Sequence, residues 1–244
     1  MHFITTRGRL LAAVLAGALA PAMLAGPVKA AEQDDQIYTF FQLDQNEYRL
    51  SDGDDAYAWE AQGWAGTDYD KLAFKTTGEQ VIDGGLETAE LQVLYSRLVT
   101  DFFDAQIGVR YDFEPDPERA FAVIGLQGLA PQFFEVDTAL FISEDGDVSA
   151  RFEAEYELLI TQRLILQPSA ELNVAVQEVE KYGTGSGPTD IELGLRLRYE
   201  ITREFAPYIG VNYERDLFDT ADFTRDEGGD VDAVSFVAGV RIFF

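Results

Sequence analysis

An all-β, transmembrane, antiparallel up-and-down barrel of about twelve strands is the fold this sequence predicts. Three observations carry the prediction. Apolar and polar residues alternate with a period of two along nearly the whole chain after residue 36. The alternating segments outrun the ~5–6 residues of an ordinary strand and approach the ~9–11 that a tilted strand needs to cross a bilayer. An export leader occupies the start of the chain, so a membrane beyond the cytoplasm is within reach.

The leader spans residues 1–30. Arg7 and Arg9 form its basic start, Leu10–Leu24 is apolar apart from glycines and Pro21, and Val28-Lys29-Ala30 is a small-x-small cleavage site. The expected organisation is a cleaved leader over 1–30 and a barrel over 31–244. Cleavage removes three of the 18 bases and none of the 44 acids, leaving 15 against 44. It also removes Met1, His2 and Met23, so the exported chain holds no Met, His or Cys. Without cysteine there is no disulfide framework, and so acidic a protein has no electrostatic reason to bind nucleic acid. No later run of about 18 apolar residues offers a helical span.

The strands follow in order. Ile37–Leu50 ends at the turn Ser51-Asp52-Gly53-Asp54-Asp55. Tyr57–Ala65 sets Tyr57, Trp59 and Ala61 against Glu60 and Gln62. Lys71–Thr77 is followed by a longer loop to Gly84-Gly85. Leu86–Val99 and Phe102–Phe113 alternate cleanly, and Glu114-Pro115-Asp116-Pro117 closes the second. Ala120–Ala130 is apolar on both faces. Phe134–Ile142 leads through the hairpin signal Glu144-Asp145-Gly146-Asp147 into Val148–Leu158. Leu164–Gln177 and Asp190–Ile201 flank a Gly/Ser/Thr loop, and the latter sets Leu193, Leu195 and Leu197 against Glu192, Arg196 and Arg198. Pro207–Arg215, the acidic loop Asp216–Asp230 and Val231–Phe244 complete the chain. No segment shows a helical period.

The connections alternate in character. Thr67–Asp70, Thr100-Asp101, Pro131-Gln132, Thr161–Arg163 and Thr202–Glu204 are tight, while those at the other end are longer, or acidic and glycine-rich. That asymmetry, with aromatics near strand ends and Phe244 closing the last strand as in outer-membrane barrels, predicts an outer-membrane location. Lipid and lipopolysaccharide are then the expected surroundings, and both termini lie in the periplasm.

In such a barrel the polar face looks into the lumen, because lipid cannot satisfy charge. The predicted lumen set is Glu90, Asp104, Arg110, Asp112, Glu135, Asp137, Arg151, Glu153, Glu155, Glu157, Glu171, Asn173, Glu192, Arg196, Arg198, Glu200, Glu214 and Arg241. Carboxylates outnumber guanidiniums, so the lumen favours cations. Glu153, Glu155 and Glu157, with Glu135 and Asp137 on the preceding strand, are the candidate metal-contacting residues, as hard oxygen ligands for a divalent ion. The competing expectation is a solvated wall neutralised by Arg196, Arg198 and Arg110, since inward neighbours on one strand stand about 7 Å apart. The acidic loop residues do not fit an EF-hand. Histidine-dependent hydrolysis is excluded once His2 departs, and no carboxylate pair stands out as acid and base, so no catalysis is expected.

Several stretches together resemble one family. They are 38–49 (YTFFQLDQNEYR), 59–72 (WEAQGWAGTDYDKL), 75–79 (KTTGE), 90–97 (ELQVLYSR), 108–112 (GVRYD), 125–131 (GLQGLAP), 192–200 (ELGLRLRYE) and 205–211 (FAPYIGV). In register over essentially the whole exported chain, they resemble the copper resistance protein B family. The resemblance implies an outer-membrane protein of copper tolerance that works beside periplasmic copper-binding proteins and binds copper or helps to move it out. Members often carry a Met/His-rich segment before the first strand, suited to Cu(I) and Cu(II). Here that position reads Ala-Glu-Gln-Asp-Asp-Gln over Ala31–Gln36. Copper contact is therefore expected only as weak Cu(II) binding to carboxylates, with no tightly bound cofactor. The rival expectations are a small diffusion channel for other solutes and a non-conducting scaffold for a periplasmic partner.

Overall fold

The computed structural model describes residues 36–51, 53–82 and 84–244; the leader expected over 1–30 lies outside them. Strands β1 Tyr38–Ser51, β2 Ala56–Gly66, β3 Asp70–Val81, β4 Leu86–Thr100, β5 Phe103–Glu114 and β6 Arg119–Ala130 follow one another as an antiparallel meander. The meander continues through β7 Phe134–Ser143, β8 Val148–Tyr156, β9 Leu158–Leu159, β10 Leu164–Ala175, β11 Gly187–Tyr199, β12 Phe205–Asp216 and β13 Asp232–Phe243. β8 and β9 are two pieces of one strand, broken at Glu157 and both paired with β10, so the 13 segments form twelve wall positions. β1 pairs with β2 on one side and with β13 on the other, from Leu43 opposite Ile242 to Ser51 opposite Ser235. The sheet closes and no edge is left, which is the condition for a β-structure in lipid.

Alternation decides what each face meets. Along β5, Ile107 and Val109 lie about 60% exposed on the outer surface, while Gln106 and Asp112 are buried inside. β12 and β13 repeat this with Ile209, Val234 and Phe236 outward and Asn212 and Ser235 inward. The apolar band faces the bilayer, and Phe and Tyr rings near its borders complete it.

Threonines close the tight turns. The hydroxyl of Thr67 accepts from the amides of Tyr69 and Asp70, that of Thr100 from Phe102 and Phe103, and that of Thr161 from Arg163 and Leu164. A short hydroxyl that satisfies two turn amides lets the chain reverse at little cost. At the opposite end, residues 144–147 turn through Gly146 at φ +92.

Two expectations are corrected. β3 does not stop at Thr77 but runs to Val81. Gly78, the first residue past the predicted end, sits opposite Trp59, and a Cβ there would lie 2.2 Å from the indole. The glycine gives the ring a seat on the barrel wall. The acidic loop Asp216–Asp230 contains a helix, α1 Phe218–Glu227, which ends on Gly228 in the left-handed conformation (φ +83). Its only buried residue is Ala221, so it carries no apolar stripe that a periodicity reading could detect.

β6 is apolar on both faces for a structural reason. Ile124 and Leu126 face outward, and Phe121 and Val123 point into the barrel. There they join Ala73, Leu94 and Phe141 in an interior apolar cluster against Trp64 and Ala139. Arg110 and Arg151 lie against the Phe141 ring of this cluster, where it meets the charged part of the lumen.

Candidate functional site

The lumen is a network of ion pairs in which guanidiniums serve several carboxylates each. Arg49 on β1 pairs with Glu47 at 3.0 Å, with Glu79 at 3.0 Å, with Glu192 at 3.1 Å and with Glu214. Arg196 holds Glu47 through Nε and Nη2, both at 2.9 Å, and Tyr208 donates its hydroxyl to the same carboxylate at 3.0 Å. Glu47 is 1% exposed, so these three donors replace the water it has lost.

Other contacts cross the barrel. Arg151 on β8 reaches over β5, β6 and β7 to grip both oxygens of Glu90 on β4, at 3.0 and 3.1 Å. Arg110 joins from β5 at 2.8 Å, and both guanidiniums lie over the Phe141 ring, at 5.7 and 4.6 Å from its centroid. Lys75 on β3 pairs with Asp137 on β7, and the Gln127 amide on β6 donates to Gln62 on β2 at 3.1 Å. Each of these three bridges passes three intervening strands.

The five predicted metal-contacting residues separate into two groups. Asp137 stands opposite Glu153, and Glu135 opposite Glu155, as cross-strand pairs of β7 and β8. Glu157 sits at the break between β8 and β9, where Arg198 holds it at 2.5 Å and Arg241 at 2.8 Å. It is already neutralised. The expected counter-ions change accordingly. Arg198 does serve the triad, whereas Arg196 is committed to Glu47 and Arg110 to Glu90 and Asp112. Glu155 instead accepts from the Gln167 amide at 2.8 Å, and Glu60 from the Gln45 amide at 2.8 Å.

Register also reveals an arrangement that runs across strands. Asp137 is opposite Glu153, Glu153 opposite Glu171, Glu171 opposite Glu192, and Glu192 opposite Glu214. Facing side chains on adjacent strands are about 4.5–5.5 Å apart at Cβ. Because barrel strands tilt, this row climbs the wall from β7, near the tight-turn end, to β12, near α1. Lys75, Arg151 and Arg49 partner it at intervals. Among the described residues, no group of three or more His, Cys, Asp or Glu side chains is placed to hold a metal ion. The row is therefore a line of acceptors, not a chelate.

The described residues enclose an outer and an inner cavity in the interior. The outer one, about 1060 Å³, is lined from Arg49, Glu79 and Glu192 up to the loop residues Asp54, Thr224 and Asp230. The inner one, about 320 Å³, is lined by Asp44, Gln62, Lys75, Gln127, Glu135 and Asp137 among others. Glu60, Thr77, Glu90, Arg151, Glu153 and Glu155 line both. Of these shared residues Glu60 and Thr77 are not in the predicted lumen set, and Glu60 is the charged one. Its alternation with Trp59 placed it on the wet face, and that was the available signal.

Known proteins with similar backbones share the architecture. The NanC porin superposes with a TM-score of 0.54 at 14% identity, over 83% of this chain and 98% of that one. The KdgM porin gives 0.50 at 12% identity, over 84% and 99%. At such identities the likeness concerns the fold alone, an outer-membrane barrel. Sequence comparison reaches further. Copper resistance protein B of Escherichia coli is 44% identical over 88% of this chain and 72% of its own length. The copper resistance protein B homolog of Pseudomonas syringae pv. tomato is 41% identical over 86% and 71%. The family described as copper resistance protein B precursor (CopB) matches residues 37–244, the whole barrel. An outer-membrane barrel that matches this family from its first strand to its last residue belongs to the copper resistance protein B family.

Proposed function

We propose that this barrel serves copper tolerance at the outer membrane by concentrating Cu(II) weakly among its lumen carboxylates, either for passage or for sequestration. The observation that carries the reading is the in-register row Asp137, Glu153, Glu171, Glu192 and Glu214, a continuous line of hard oxygen acceptors inside the wall. With no Met, His or Cys after the leader, these oxygens supply the copper contacts, and the binding is shallow and exchangeable. Such binding suits a surface along which ions move more than one that stores them. The reading includes export by cleavage of 1–30, a lipid and lipopolysaccharide surround, and delivery of copper by a periplasmic copper-binding protein. It requires no chemical step.

The test is Cu(II) binding to the refolded mature barrel and to a variant with Glu153, Glu155 and Glu171 changed to Gln. Glu171 replaces Glu157 in this set because Glu157 is held by two arginines. Saturable binding that disappears in the triple variant supports the reading; equal binding by both refutes it. A second reading, a small diffusion channel, draws on the two polar cavities. It predicts conductance that is indifferent to Cu(II), whereas the copper reading predicts conductance that changes with it.

A further inference from the structure

We propose that the Arg151–Glu90 bridge is a gate that closes the lumen between its outer and inner cavities. The bridge joins opposite walls: Arg151 belongs to β8 and Glu90 to β4, and both residues line both cavities. It stands where the two cavities meet, and a solute moving from one to the other passes it.

Its construction is that of a latch. The Arg151 fork meets both Glu90 oxygens, a bidentate geometry that fixes direction as well as distance. Glu90 is 7% exposed and is also held by Arg110 at 2.8 Å and by the Gln92 amide at 2.9 Å. It is the fixed half. Arg151 is the movable half, a long side chain that spans the lumen from β8 to β4. Its Nε lies 3.2 Å from the Asn173 side-chain oxygen Oδ1 and 3.2 Å from Glu171 on its own side of the barrel. The guanidinium is thus already paired with a second carboxylate, which keeps hold of it when it leaves Glu90. Glu171 belongs to the acidic row, so the released Arg151 folds back against the wall from which it springs. Retention of Glu171 keeps the arginine paired in both positions, which avoids the cost of a lone buried charge. Lys75–Asp137 is a second cross-lumen tie lining the inner cavity, and it restricts the same passage from the tight-turn side.

The gate does not depend on which ion uses the lumen, and a barrel that never binds copper would still show it. The test is conductance of the refolded barrel in a planar lipid bilayer. The chain has no cysteine, so a thiol placed at Arg151→Cys is the sole target for methanethiosulfonate reagents. The expected result is low conductance in the unaltered protein and a several-fold rise in both Arg151→Cys and Glu90→Gln. Modification of the new thiol with an ethylammonium reagent returns the cation and lowers conductance towards the original level. A neutral methyl reagent leaves it high. Equal conductance in the unaltered protein and in the folded variants would overturn the proposal, as would an ethylammonium group that changes nothing. Should Arg151→Cys fail to fold, Glu90→Gln decides alone, since it keeps the side-chain shape and the Gln92 and Arg110 neighbours: a rise supports the gate and an unchanged level overturns it.

Discussion

Glu47 and Arg196, 149 residues apart, form a two-pronged ion pair across the seam where the barrel closes. Glu47 lies on β1 and Arg196 on β11, with β13 and β12 between them, so the pair ties the first strand to the last third of the chain. Glu47→Gln keeps the shape and removes the charge, leaving Arg196 with only neutral partners, Gln45 and Ser169. Breaking a buried pair from one side typically costs about 3–5 kcal/mol. Tyr208→Phe removes one donor to the same carboxylate and should cost about 1.5–3 kcal/mol. Urea unfolding of the barrel in lipid vesicles measures both, and Glu47→Gln should show the larger loss.

The outer face can be tested by a charge. Ile107 on β5 stands opposite Ile124 on β6, and both are more than half exposed on the bilayer side. Ile107→Arg places a guanidinium in hydrocarbon, and near the bilayer midplane this costs about 2–4 kcal/mol. The neighbouring position points into the lumen, so the penalty should fall steeply for a charge introduced one residue away. Vesicle-folding titrations of the two variants compare them directly. A larger cost at the neighbouring position would mean that the face assignment of β5 is reversed.

One outer connection folds over the mouth. The Tyr182 ring, from the turn Glu180–Tyr182 between β10 and β11, lies 4.0 Å from the Arg119 guanidinium on β6. Asp147 holds Arg119 at 2.7 Å and also accepts from the Gln177 amide at 3.1 Å. Tyr182→Ala removes a cation–π contact of roughly 0.5–1 kcal/mol, which is about a two- to five-fold shift towards a detached loop. Trypsin added from outside should then cut after Lys181 faster by about that factor, with Arg119→Gln giving a similar acceleration.

Period-two alternation made the wall legible, because a strand between lipid and a wet lumen must write its two faces into its sequence. Every predicted strand has its counterpart, from β1 to β13. The features that escaped have no such periodic signature. α1 buries only Ala221, and the end of β3 lies past Thr77, where Gly78 seats Trp59. The lumen side chains of β1 lost their phase at register shifts between Leu43 and Glu47, which hid Glu47 and Arg49. Alternation also reports which face a residue occupies and nothing about what stands across the barrel. Glu153, Glu155 and Glu157 therefore read as a ladder along one strand. The longer row, through Glu171, Glu192 and Glu214, needs the register of five wall positions. The Arg151–Glu90 bridge needs the closed barrel itself.

Metal removal separates an acceptor row from a chelate. A ligand stabilises the folded state by RT ln(1 + [L]/Kd), about 2.7 kcal/mol at a concentration of 100 Kd and only about 0.06 kcal/mol at a tenth of Kd. A line of carboxylates already paired with Lys75, Arg151 and Arg49 belongs to the second regime, since each incoming cation must compete with a tethered one. Unfolding of the barrel in micromolar Cu(II), with and without a chelator, should therefore give the same free energy within error. Binding should also weaken as salt rises from about 0.01 M to about 0.15 M, because the screening length contracts from about 30 Å to about 8 Å. A chelator-sensitive stability of kilocalories would instead require a closed coordination site. Three of its ligands would then have to come together by a movement of these strands.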